Sequence, residues 1–306
     1  MWLLNIIFCA GKRILILIII FITGYQNFTV RKLYLLFSII VFNSSLSGQS
    51  LRTPVAASYI GLGAYSTHHV DGFSLTANQA ALAQIKNPVI GVYGEDRFLL
   101  NATNMYSAVF AVPTTQGNFG IQIDYFGFKD YNESQIGFAY ARSLGSKLDI
   151  GVKFNYYSFR IPAYQSSSAV NFEIGAIAHL TDKLNAGIHF YNPVGGNLSK
   201  TNNEKLASVY TFGIGYEASE SFLVSAEIEK QEDLPVNINA GVQYNFQKQF
   251  FVRVGINAEN ESPYAGAGLS WKDIRLDVST SYHPQLGLSP GLMLLVNFKS
   301  KEAEKK

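Results

Sequence analysis

The feature that most constrains this chain is a strict alternation of apolar and polar residues between Val236 and Asn257. Tyr244 and Phe246 alternate with amides, and the pattern resumes after a turn at 248–249. Successive side chains of a strand point to opposite faces, so the segment predicts a β-hairpin with one apolar and one polar face. About ten residues is the length of a membrane-spanning strand. A half-exposed strand of a soluble sandwich has the same period. The number of times the pattern recurs along the chain must therefore decide between a membrane barrel and a soluble sandwich.

The alternation recurs fourteen times after Pro88. The predicted strands are 89–98, 105–113, 118–126, 132–142, 148–160, 169–179, 184–191, 207–217, 222–230, 235–246, 250–257, 264–271, 274–282 and 291–298. Short connections at 114–117, 143–147, 180–183, 218–221, 247–249 and 272–273 interleave with longer ones at 99–104, 127–131, 161–168, 192–206, 231–234, 258–263 and 283–290. An even number of strands with tight turns on one rim is typical of an outer-membrane barrel. In a soluble sandwich, short and long connections have no reason to alternate along the chain.

We therefore predict an all-β fold, a 14-stranded antiparallel transmembrane β-barrel with a short N-terminal lumenal or periplasmic segment. The barrel must be closed, because an open edge in lipid would leave backbone N–H and C=O groups unsatisfied. Aromatic residues collect near the predicted strand ends, as in interface girdles. The predicted divisions are 48–88 for a plug-like segment, 89–298 for the barrel and 299–306 for a polar tail. Both termini then fall on the short-turn rim, which is the periplasmic one.

Residues 30–47 predict a signal peptide, with a basic start, an apolar core, and Ser45 and Ser47 at the cleavage positions. The preceding apolar run is too short to span a bilayer, so we predict that residues 1–29 are a mis-annotated leader before a true start at Val30. The alternative is an N-terminal membrane anchor. Either possibility places the protein outside the cytoplasm, and the barrel places it in the outer membrane of a Gram-negative-type envelope, with outer-membrane lipid around it.

The composition excludes several classes of function. Four basic residues and no acidic ones precede Gly48, so the remainder of the chain is slightly acidic and gives no electrostatic basis for binding nucleic acid. The single cysteine, Cys9, lies in the leader, which excludes a mature disulfide and a thiolate metal site. No glycine-rich loop joins a strand to a helix, so the sequence predicts no nucleotide or other cofactor.

Charged residues on the polar faces of the strands are the candidate lumen lining. They are Asp124, Lys153, Glu173, Glu227, Glu229, Arg253, Arg275 and Asp277. Because both signs are nearly balanced, we expect them to pair across the lumen, although tuning of an open pore is the alternative. Strand glycines fall mostly on the same faces and suit strand bending or close approach by the N-terminal segment. These glycines are Gly137, Gly151, Gly175, Gly187, Gly213, Gly215, Gly241, Gly255, Gly266 and Gly268.

The histidines give weak evidence for chemistry. His179 and His189 fall on neighbouring predicted strands, both facing the lumen, but no nucleophile or paired acid accompanies them, so a barrel hydrolase is only a third alternative. His68 and His69 precede Asp71, yet adjacent residues of an extended chain point apart and no third metal ligand is at hand. We predict no enzyme, no catalytic residue and no metal site.

The N-terminal segment resembles a known group of barrels. A glycine-containing stretch, 61–64, is followed by Asn78-Gln79-Ala80-Ala81-Leu82-Ala83, which is similar to the Asn-Pro-Ala-Gly-Leu-Ala motif of the OmpP1/FadL-type barrels and their PorV/PorQ relatives. The matching positions are Asn78, Ala80, Leu82 and Ala83, while Gln79 replaces the proline and Ala81 the glycine. Segments 117–127 and 138–142 are similar to that group's early strands.

The resemblance implies a fourteen-stranded barrel with the N-terminal segment in or under the lumen. PorV/PorQ-like members serve type IX secretion without chemistry, by contact with the translocon or with secreted cargo. FadL-like members carry hydrophobic compounds across the outer membrane. The predicted loops are too small for an extracellular capture groove, so we expect a non-catalytic accessory of protein secretion or surface assembly. The alternative is a FadL-like passive transporter of a small hydrophobic molecule.

Overall fold

The structure is a computed structural model that describes residues 63–162, 165–195, 206–232, 234–247, 249–258 and 261–298. The predicted leader, the signal peptide, residues 48–62 of the plug-like segment and the tail 299–306 lie outside the described residues. Two short 3₁₀ helices, Gly72–Thr76 and Gln79–Gln84, precede the first strand. No helix within the described ranges is long and apolar enough to cross a membrane.

Fourteen antiparallel strands form one closed barrel, which confirms the predicted fold class. The strands are β1 Val89–Asp96, β2 Asn104–Thr114, β3 Gly117–Phe128, β4 Tyr131–Leu144, β5 Leu148–Ile161, β6 Gln165–His179, β7 Leu184–Tyr191, β8 Val209–Ser219, β9 Phe222–Gln231, β10 Asn237–Phe246, β11 Phe250–Asn257, β12 Ser262–Trp271, β13 Ile274–His283 and β14 Gly287–Asn297. The first strand pairs with the last from Val89 with Asn297 to Glu95 with Gly291, so no edge is left open to lipid.

Two predicted connections are wrong because polar residues and a proline look like loop residues. β6 begins at Gln165, not at 169, and Ser166 and Ser168 pair with β5 above the apolar band. β14 begins at Gly287, so the predicted loop 283–290 is mostly strand. Pro290 is tolerated there because it lies just beyond the last pair between β14 and β1, at the point where that ladder has already ended.

The outer face is apolar over nearly the whole barrel. Phe138 and Phe154, paired across β4 and β5, are 59% and 60% exposed, whereas their neighbours Gly137 and Asn155 face inward. Aromatic residues lie near both rims, with Phe222 beside Tyr244 near one and Tyr106 beside Tyr125 near the other. The aromatic pairs therefore mark two interface girdles around an apolar band. An apolar surface of this extent, bounded by aromatic girdles, is typical of a barrel that faces lipid.

The segment 63–85, hereafter the plug, lies inside the barrel on the side of the short turns. Asp71 begins the first 3₁₀ helix: its carboxylate accepts from Phe73 N at 2.9 Å, and its own N–H donates to Ser74 Oγ at 3.0 Å. Asn78 begins the second helix, because its Oδ1 accepts from Ala80 N at 3.0 Å. These side-chain caps accept hydrogen bonds from backbone N–H groups that the first turn of each helix leaves without a partner.

Candidate functional site: the lumen and its plug

Inward-facing glycines make room for the plug. A Cβ on Gly151 would lie 2.6 Å from Ala80 N, and one on Gly175 would overlap the Asn78 side chain. Gly120 lies against Leu75 and Leu82 of the plug. Strand glycines often mark a close approach of another backbone. The approach that the sequence predicted for the N-terminal segment is therefore present at these positions.

Tyr65 fits a slot formed by three glycines. Any side chain on Gly213 would overlap its ring, and a Cβ on Gly187 would lie 2.8 Å from the ring edge. A Cβ on Gly215 would overlap the carbonyl oxygen of Tyr65. The ring is fully buried and its hydroxyl donates to Glu227 Oε2 at 3.5 Å. One aromatic side chain thus ties the start of the plug to three successive strands, β7, β8 and β9.

The residues that resemble the family motif lie at the contact between plug and wall. Asn78 Nδ2 donates to the carbonyl of Ile188 in β7 at 3.0 Å, so the same side chain caps the helix and binds the wall. Ala80 and Leu82 are buried and Ala83 is half-buried against the apolar cluster. Gln79, which stands where the motif has proline, donates its amide to Glu173 and contacts His189. The departure from the motif therefore adds a polar bond between plug and wall.

The predicted charged residues lie on the inner face of the wall, and the contacts seen for Lys153, Asp124 and Glu227 run along the wall. Lys153 Nζ lies 2.9 Å from Glu173 on the neighbouring strand and donates to Gln122 at 3.0 Å. Asp124 accepts from Gln122 at 2.6 Å. Glu227 accepts from Asn239 at 2.9 Å, and Glu229 lies half-buried on the same face. The plug lies between opposite walls, and Lys153 is paired with Glu173 on the neighbouring strand instead of with a residue across the lumen.

A second charged cluster binds the plug to β11 and β13. Arg253 and Arg275 both contact Asp277, at 3.0 and 2.7 Å, and both stack on the ring of Phe251. Arg275 also reaches Asp71 of the plug at 3.0 Å. Each guanidinium is thus paired and packed, as burial of a charge requires.

Four histidines lie at contacts between plug and wall. His68 Nδ1 is 3.2 Å from Glu217, whose carboxylate also accepts from His68 N at 2.9 Å. His69 Nδ1 faces the Gln243 amide at 2.8 Å, and burial lowers the pKa of His69 to about 4. Because Nδ1 accepts, the proton of the neutral ring lies on Nε2, which has no hydrogen-bond partner among the described residues.

The other two histidines are engaged by acids. His179 Nε2 lies 2.8 Å from Asp149 and its Nδ1 lies 2.6 Å from Asn185, so both ring nitrogens are occupied and neither faces a serine. His189 Nε2 lies 3.0 Å from Glu173. This arrangement positions the plug and offers no activated nucleophile. No group of three metal-ligating side chains occurs in the described part of the chain.

One sector of the lumen wall is apolar, which the sequence analysis did not identify. On β14, β1 and β2 most inward side chains are apolar where strict alternation would place polar ones, although Glu95, Ser107 and Ser289 also lie on this face. These residues are Val89, Tyr93, Met105, Val109, Ala111, Met293 and Leu295. Phe73 of the plug packs on them, with its ring 6.3 Å from that of Tyr93. The sequence feature that indicates this apolar sector is the unbroken apolar run 292–296, which predicts a strand that is apolar on both faces.

The comparisons with known proteins identify the fold. No family model matches the chain, and no curated protein matches it. Among solved structures it is similar to the CymD monoaromatic hydrocarbon channel, with a TM-score of 0.60 and 12% identity over 81% of this chain and 98% of that chain. The P. putida toluene transporter TodX gives 0.56 and 11%, over 75% and 95%. A Pseudomonas aeruginosa FadL homologue gives 0.50 and 12%, over 81% and 97%.

At these identities the similarity establishes a fold and no more. It confirms the expected likeness to FadL-type barrels at that level, and the proteins named are channels and transporters. Closeness to the PorV/PorQ group is not addressed by any of them and stays a prediction, as does the side of the membrane on which the termini lie. The chain has the fold of the FadL, TodX and CymD outer-membrane channels.

Proposed function

We propose that this protein is a passive, non-catalytic channel for small hydrophobic compounds in the outer membrane. The observation that carries the proposal is the apolar lumen sector on β14, β1 and β2. A channel for polar solutes has a polar lumen, whereas this sector offers an incoming apolar solute a surface without hydrogen bonds to break. The fold shared with a toluene transporter and a monoaromatic hydrocarbon channel supports the proposal.

The plug makes two kinds of contact with the lumen wall. Toward β5 to β8 it is held by amides, carboxylates and the Tyr65 slot. Toward β14, β1 and β2 the contacts of its described residues are mainly apolar, with Phe73 packed on the wall and Gly72 close to Val89 and Leu295. An apolar solute can replace those contacts at little cost, because it buries the same kind of surface. Passage therefore follows the apolar sector, with the plug still anchored on the opposite side.

The test is uptake of labelled toluene by proteoliposomes containing the processed protein. Val109→Asn places an amide in the apolar sector, and Thr211→Asn makes a similar change on the polar wall. Because an unpaired polar group in an apolar path costs about 1–3 kcal/mol, we expect uptake to fall about tenfold or more for Val109→Asn and to change little for Thr211→Asn. Equal uptake by wild type and protein-free vesicles would contradict the proposal.

A second candidate function is the secretion accessory predicted from the sequence. It is favoured by the tightness of several connections on the rim opposite the termini, such as 129–130 and 284–286, which leave no room for a capture groove. Isolation of the native protein from outer membranes in mild detergent discriminates between the two. Stoichiometric co-purification with a translocon or secreted protein supports the accessory function, whereas a barrel isolated alone, with transport activity, excludes it.

A further inference from the structure

The connection between β1 and β2, residues 97–103 and hereafter the lid, folds inward at the rim opposite the plug. The Phe98 N–H donates to Oγ of Ser289, a buried residue on the inner face of β14, at 3.1 Å. The Phe98 ring packs edge-on against the ring of His283, 5.8 Å away. His283 shares the inner face of β13 with the buried Ser279, because the two are four residues apart on one strand. The lid therefore crosses the inner faces of β13 and β14 instead of extending away from the barrel.

Arg97 of the lid closes one end of the apolar sector. Its guanidinium donates to Met105 Sδ at 3.1 Å and lies over the ring of Phe126, 5.7 Å from the ring centre. Both of these side chains are buried on the inner face of the wall. Met105 is the second residue of β2, so it lies at the rim end of the sector. The sector thus has Phe73 of the plug toward one end and a guanidinium at the other, and a solute that enters from this rim meets the guanidinium first.

The lid is fastened by one ion pair that can open without stranding a charge. Arg97 Nε donates to Glu95 Oε1 at 2.7 Å, and the Tyr93 hydroxyl donates to the other carboxylate oxygen. The Arg97 and Glu95 side chains are 16% and 12% exposed. When Arg97 withdraws, Glu95 keeps the Tyr93 hydroxyl and faces the water of the opened mouth. The cost of leaving an unpaired charge in a dry interior, which makes most buried pairs hard to break, is therefore small here.

The backbone of the lid is strained in the closed position. Phe98 and Leu99 have φ values of 59° and 55°, a left-handed conformation that residues other than glycine rarely adopt. Such a conformation persists only where surrounding contacts impose it. The contacts of Phe98 are the Ser289 hydrogen bond and the ring packing described above, whereas the Leu99 side chain is 60% exposed. Release of Arg97 therefore lets the backbone relax, which favours the open position.

We propose that residues 97–103 are a gate for the apolar sector and that release of Arg97 from Glu95 opens it. Opening withdraws the guanidinium from Met105 and Phe126 and joins the sector to the rim. The gating role deepens the proposed transport function and rests on it, whereas the opening itself does not. The gate is distinct from the plug, because a solute that enters at this rim crosses it before it reaches Phe73.

The experiment measures access to a thiol placed beneath the lid. Cys9, the single cysteine of the sequence, is replaced by serine, and Met105→Cys then puts the only thiol at a fully buried position in contact with Arg97. The rate of modification by a charged maleimide is measured on the folded barrel in detergent, with and without Glu95→Gln. Because Glu95→Gln removes a charge-assisted hydrogen bond to Arg97, we expect it to raise the rate about tenfold.

Two controls separate opening of the lid from loosening of the whole barrel. Ile177→Cys places the thiol at another buried position, on β6, where Glu95→Gln should not raise the rate. Asp130→Asn removes an exposed carboxylate from another connection on the same rim and should leave the rate for Met105→Cys unchanged. Equal rates for Met105→Cys with and without Glu95→Gln would overturn the proposal, and so would a parallel rise for Ile177→Cys. The gel mobility of unheated samples verifies that each variant is a folded barrel.

A cross-link tests whether passage requires opening. In the Cys9→Ser chain, Phe98→Cys and His283→Cys are joined by a short bismaleimide, which fastens the lid to β13 where the two rings are in contact. Cross-linking should abolish the toluene uptake that the unlinked double variant carries out in proteoliposomes. Undiminished uptake after complete cross-linking would overturn the gating role. If wild type shows no uptake either, the proposed transport function fails separately, and the rate for Met105→Cys still decides whether the lid opens.

Discussion

The two sides of the lumen wall are built on different principles. From β3 to β7 the inward face carries many buried polar groups, and Glu173, which is paired with Lys153, also accepts a hydrogen bond from Gln79 of the plug. From β14 to β2 most inward side chains are apolar, as the outward ones are, and Phe73 of the plug packs on them. The polar wall fixes the plug in one position, whereas the apolar wall leaves a surface from which the plug can separate. The polar wall therefore anchors the plug, and the apolar wall provides the path that we propose for a solute.

The largest expected effect is on the polar wall. Lys153→Met leaves the Glu173 carboxylate buried without its cation, and breaking a buried pair in this way costs about 3–5 kcal/mol. The midpoint of urea unfolding in lipid vesicles measures the loss. The double variant Lys153→Met, Glu173→Gln should regain most of it. A single variant as stable as wild type would show that the carboxylate becomes protonated or hydrated instead, and that the polar wall is not a rigid anchor.

The apolar wall should respond less, and through packing alone. Leu295→Ala removes a fully buried side chain that touches Gly72 and Gly91, and such truncations cost about 2–4 kcal/mol where the surroundings cannot collapse. Because the plug can settle into the space, we expect the lower end of that range by the same unfolding assay. Leu294→Ala, which faces lipid one position away, is the control and should cost about 1 kcal/mol. Equal losses for the two variants would contradict the assignment of faces.

The smallest expected effect is the pH dependence of plug docking through His69. Its pKa is about 4 in the folded protein, below the ordinary value near 6.5, so the folded state favours the neutral ring. The stability it contributes is complete above about pH 6.5 and is lost as the pH falls toward 4. His69→Gln keeps a hydrogen-bonding side chain without a titrating group. Unfolding midpoints from pH 7.5 to 4 should therefore fall more steeply for wild type than for His69→Gln, and parallel curves would exclude His69 as the cause.

The sequence predicts the barrel well because the alternation has one structural solution in lipid. All fourteen strands are present, and the errors are confined to ends such as Ser166 and Pro290, where local composition resembles a loop. The interior is less predictable. Whether Lys153 meets a residue across the lumen or on the next strand depends on what fills the lumen, and nothing local to Lys153 encodes the plug. The inward positions of Met293 and Leu295 are not predicted, because Leu292, Leu294 and Val296 already complete the apolar face of an alternating strand.

The fit of Tyr65 between Gly187, Gly213 and Gly215 has a consequence for the order of assembly. The plug precedes β1 in the chain, yet it lies inside a cylinder that is completed only when β14 reaches β1. A ring wedged this tightly against two strands cannot be inserted through a finished wall without separating them. We therefore expect the segment translated early to be seated before the strand translated last joins the first, so that closure of the cylinder follows correct placement of the plug.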